Sequence, residues 1–92
     1  MRDLSVPAYF HEFWISPHLH GGIERYLNDH IAPGAFLLAV LENNLKVAVL
    51  TADADSLESL AGIVFWLREE SPGAAYGSSA NVAAWLARRD GT

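Results

Sequence analysis

Residues 35–55, "AFLLAVLENNLKVAVLTADAD", decide the fold of this chain. Read in one way, "AFLLAVLE" and "LKVAVLTA" are two apolar runs on either side of Asn43-Asn44, a hairpin signal because asparagine tolerates positive φ. Read in the other, Phe36, Leu37, Val40, Leu41 and Leu45 keep a 3.6-residue stripe, and alanine, leucine, glutamate and lysine all favour helix. The residues on both sides of this stretch are easier to place, and they are helical.

Downstream, "DADSLESLAGIVFWLREESPG" starts with acids where the positive end of a helix dipole lies. Asp53, Asp55 or Ser56 supplies a cap, and Glu58 stands three residues after Asp55 in the manner of a capping box. Leu57, Leu60, Ala61, Val64 and Leu67 form the expected inner stripe. Ile63, Phe65 and Trp66 widen it until the helix is apolar nearly all round, which marks it as the central one. Gly62 costs about 1 kcal/mol there relative to alanine, so another element is expected to cross closely at that point. Ser71-Pro72-Gly73 closes the helix. Ser78 or Ser79 then caps a last one, with Val82, Trp85, Leu86 and Arg89 on one side and Gly91 at its exit.

Upstream, Ser5 and Pro7 suit the start of a first helix that places Phe10, Phe13 and Trp14 on one face and ends before Pro17. A second helix is expected from about Gly22 to Ile31, with Ile23, Tyr26, Leu27, His30 and Ile31 turned inward. The sum is a single small domain over residues 1–92. It is an all-α bundle of about four to five short helices, or an α+β fold if residues 35–52 form a hairpin.

A chain of 92 residues buries only about 60–65% of its unfolded surface, yet 51% of this one is hydrophobic. Apolar surface is therefore left over, and its natural use is an interface, with copies of the chain or with another protein. No apolar run approaches the roughly 20 residues needed to cross a bilayer, and the first residues lack signal-peptide features. The chain has no cysteine, which excludes disulfides and thiolate chemistry and fits a reducing compartment. Together these make the cytoplasm the expected location.

The net charge is −5 with only six Lys and Arg, too few for a face that neutralises phosphates, so direct binding to nucleic acid is not expected. An acidic balance suits a basic protein partner. Among candidate sites, His18-Leu19-His20 is a chelating pattern only on a strand. On a helix the two imidazoles point some 200° apart, and no thiolate is at hand, so neither metal nor cofactor is expected. No serine lies in a nucleophile elbow, and Asp53 and Asp55 are explained by the helix start, so the expectation is a protein without enzymatic activity. Tyr9, Phe10, Phe13, Trp14 and Tyr26 crowd the first third of the chain, more aromatic surface than a small core absorbs. Tyr9, Phe13, Trp14 and Tyr26, with the acids Asp53, Asp55 and Glu58, are the candidate partner-binding residues.

Three stretches, "HLHGGIERYLNDHIAPGAFLLAVLENNLKVAV", "TADADSLESLAGIVFWL" and "YGSSANVAAWLAR", cover most of residues 18–88. In them the chain resembles a group of small proteins encoded by bacteriophages and prophages of Gram-negative bacteria. The resemblance implies a helical middle segment, with charged or small residues where this chain has Val47, Val49 and Leu50. It carries over no catalytic residue. It implies stoichiometric binding and inhibition of a host protein, as by an anti-CRISPR or other anti-defence factor. Two other uses of such a chain are an oligomer that sequesters a nucleotide signal between aromatic rings, and a structural or assembly protein of the virion.

Overall fold

The computed structural model describes residues 4–90. The fold is all-α: five helices, α1 (Pro17–Asp29), α2 (Ala35–Leu41), α3 (Leu45–Thr51), α4 (Ala54–Glu70) and α5 (Ser79–Ala87), preceded by a small hairpin. The hairpin is β1 (Tyr9–Phe10) and β2 (Phe13–Trp14), antiparallel, with Tyr9 opposite Trp14 and Phe10 opposite Phe13.

Residues 35–52 are neither a hairpin nor one continuous helix. The two asparagines do make a turn, but they make it between helices. Asn43 takes a left-handed φ of 62°, which stops α2, and the side chain of Asn44 then accepts a hydrogen bond from the Val47 N–H to start α3. Phe36, Leu37 and Leu41 are buried as the stripe requires. Leu45, past the break, is exposed.

The expected first helix is replaced by the hairpin. The stretch before Pro17 is rich in aromatic residues, which suit strands, and His11 adopts φ 56° in the turn, a conformation no helix interior allows. Pro17 opens α1 instead of ending a helix, because its fixed φ suits a position where the missing N–H costs nothing. Helix α1 therefore begins five residues earlier than Gly22 and takes in His18, His20, Gly21 and Gly22. A Cβ at Gly22 would sit 3.0 Å from Leu37, so this glycine lets α2 approach α1. His30 ends the helix in the left-handed conformation, its N–H donating to the Tyr26 carbonyl and that of Ile31 to the Arg25 carbonyl. Ile23, Tyr26 and Leu27 are buried as expected, and His30 and Ile31 are half-buried.

In α4 the buried face is Ser56, Ser59, Gly62, Ile63, Trp66 and Leu67. Of the expected inner stripe only Leu67 is buried; Leu57, Ala61 and Val64 are exposed and Leu60 is half-buried. The close crossing at Gly62 is present, and it sets this orientation. A Cβ there would lie 2.7 Å from Ile15 Cγ1 and 2.8 Å from the Trp14 carbonyl oxygen, so the chain leaving the hairpin rests on the backbone of α4. A helix turned to bury its small residues under a crossing chain leaves some leucines and valines outside. Asp53 is the cap, accepting from the Ser56 N–H at 2.8 Å; the box from Asp55 to Glu58 does not form.

The core that results joins Ile15, Leu19, Ile23, Tyr26, Phe36, Leu37, Ile63, Trp66, Leu67, Val82 and Trp85. Ser78 caps α5, which buries Val82 and Trp85 and leaves Leu86 half-buried and Arg89 exposed. Gly91 lies outside the described residues. Among the described residues, no helix is long and apolar enough to cross a membrane.

Candidate protein-binding face

The hairpin is fixed to α4 by one buried hydroxyl. Ser59 Oγ accepts from the Ser16 N–H at 2.8 Å and donates to the Asp55 carbonyl at 2.7 Å, so it meets a donor from the crossing chain and an acceptor from its own helix. Ile15 N–H donates to the Ala8 carbonyl at 2.8 Å, closing the hairpin at its base. Ahead of it, residues 4–8 run along α1. The Leu4 N–H donates to Asn28 Oδ1, Asn28 Nδ2 donates to the Leu4 carbonyl, and the Val6 N–H donates to Glu24 Oε2. These bonds hold the short strands where strand pairing over four residues alone would not.

Phe13 stacks on Phe65 of α4 with ring centres 4.8 Å apart and planes 19° from parallel. Phe10 meets His11 edge to face at 4.4 Å. Tyr9 stands 63% exposed at the end of the hairpin, while Phe13 and Trp14 are half-buried. On α4, Glu58, Gly62 and Phe65 are spaced i, i+4, i+7, and so are Asp55, Ser59 and Gly62. Both acids therefore project from the side of α4 on which the hairpin lies. Asp53 is at the start of the same helix. Its carboxylate is held below the ordinary range by the Ser56 N–H and side chain, with a smaller contribution from His18, whose Nε2 is 4.0 Å from Asp53 Oδ1.

Six of the seven candidate residues are thus gathered on and beside the hairpin: Tyr9, Phe13, Trp14, Asp53, Asp55 and Glu58. Tyr26 is not among them. It is fully buried, its hydroxyl donating to the Ala75 carbonyl at 2.7 Å and its own carbonyl accepting from Trp85 Nε1 at 2.9 Å. Burial, with the Glu42 carboxylate adding to it, pushes the phenol up to about 12. Its place is in the core. Phe65 is the residue that sequence reasoning did not include; its spacing of seven from Glu58 was the available signal.

The histidines are apart from one another. His18 is exposed at the start of α1, His20 Nε2 is 2.9 Å from the Ile15 carbonyl oxygen, His11 is in the hairpin turn, and His30 Nδ1 is 2.9 Å from the Trp85 carbonyl oxygen. Among the described residues, no three His, Asp or Glu side chains lie close enough together to hold a metal ion. A hollow of about 350 Å³ lies between Leu27, Asn28, Glu70, Ser71 and Trp85. The Asn28 amide facing it is already committed to Leu4 on both of its polar atoms.

No protein-family model, curated protein or solved structure matches this chain.

Proposed function

We propose that this chain is a phage or prophage accessory protein that acts without catalysis, by binding and inhibiting a host protein in the host cytoplasm, in the manner of an anti-CRISPR or other anti-defence factor. The observation that carries this reading is the packing of a hairpin that exposes Tyr9 beside the acids of the α4 start. Tyr9 offers a large exposed side chain with a polar tip on the hairpin, and Asp55 and Glu58 lie on the side of α4 that carries the hairpin. Aromatic anchors inside a charged rim are what concentrates binding energy at protein interfaces. On a chain of net charge −5 such a rim speeds encounter with a basic partner and orients it.

A nucleotide signal is less well served. The 350 Å³ hollow carries the Glu70 carboxylate, which repels phosphate, and offers the Trp85 ring without a free amide beside it.

Affinity capture from lysate of the bacterial host, followed by mass spectrometry, tests the proposal when run beside the Asp55→Lys, Glu58→Lys double variant and Tyr9→Ala. A basic host protein retained by the wild type, lost from both variants and released by salt is the expected result. Equal retention by all three proteins removes the hairpin face from the account. A thermal-shift screen against nucleotides tests the other use, because a ligand at 100 times its Kd adds about 2.7 kcal/mol of stability.

A further inference from the structure

We draw no further inference here: the strongest candidate, the apolar hollow of about 220 Å³ that Val40 of α2, Val64 and Leu67 of α4 and the Tyr76-Gly77 loop enclose beside Asn43, is walled by uncharged residues, and nothing in the structure shows what covers it.

Discussion

Two stretches of similar hydrophobic content end at opposite extremes. Trp14-Ile15 is pressed onto α4, with Ile15 wholly buried, whereas Leu45–Thr51 forms a helix from which Ala48 alone is buried. Hydrophobicity does not separate them. What separates them is the surface each one meets: Ile15 arrives where Gly62 has no side chain and where the Ser59 hydroxyl receives the next N–H, so backbone and side chain are satisfied together. Helix α3 finds only its neighbour α2 and a groove. In a chain this short, a place in the core goes to the segment whose polar groups also find partners, and the rest of the apolar side chains stay at the surface.

That contrast predicts its largest effect in the core. Ile63→Ala, on the buried side of α4, costs about 2–5 kcal/mol in chemical denaturation. Leu50→Ala, at an exposed position, stays within about 0.5 kcal/mol, as surface substitutions do. Comparable losses at the two sites would erase the distinction. At the crossing, Gly62→Ala gains helix propensity, but its methyl group meets the Trp14 carbonyl, a backbone atom that cannot swing aside. A net loss of about 1–3 kcal/mol is expected, and a gain in Tm would show that the hairpin is not seated there.

Tyr26→Phe leaves the Ala75 carbonyl without its donor and costs about 1 kcal/mol near neutral pH. The same phenol sets an alkaline limit. Its pKa rises from 10.0 unfolded to about 12 folded, so its contribution is complete below pH 10 and is lost as pH climbs to about 12. That loss is on the order of 2 kcal/mol. Denaturation midpoints at intervals from pH 9 to 12 should fall more steeply for the wild type than for Tyr26→Phe; parallel profiles would mean that the hydroxyl is solvated.

The smallest effect belongs to Asp53. Its folded pKa is depressed, so the capping contribution is present above the ordinary carboxylate range and fades as pH drops through the folded value. Asp53→Ala should lower Tm slightly at pH 7 and not at all in strong acid.

Both ends of α4, the start of α5 and the inward face of α1 were legible because caps, prolines and 3.6-residue spacing act locally: Ser78 and Val82, and Ile23, Tyr26 and Leu27, are where the helical spacing puts them. The Gly62 crossing was legible too, from a residue with no local reason to be in a helix. The hairpin was not. Phe10, Phe13 and Trp14 fit a helical face as well as a four-residue hairpin, and the choice rests on contacts with α4 that are some fifty residues away in sequence. The rotation of α4 was hidden for the same reason, since the element that claims Ser59 and Gly62 is that hairpin. Of the candidate binding residues, those on the hairpin and the α4 start converge because the two elements pack together. Tyr26 is inward as its helical spacing requires and so is no binding residue; its sequence context does not reveal the Ala75 carbonyl that takes its hydroxyl.

The central claim is that this chain works by holding another protein on its hairpin face. Titration calorimetry of the host protein recovered by capture, against the wild type and against Asp55→Lys, Glu58→Lys, tests it most directly. The account predicts one-to-one binding per chain, weakened at least tenfold by the charge reversal and by raised salt. Binding that is indifferent to both changes would contradict it.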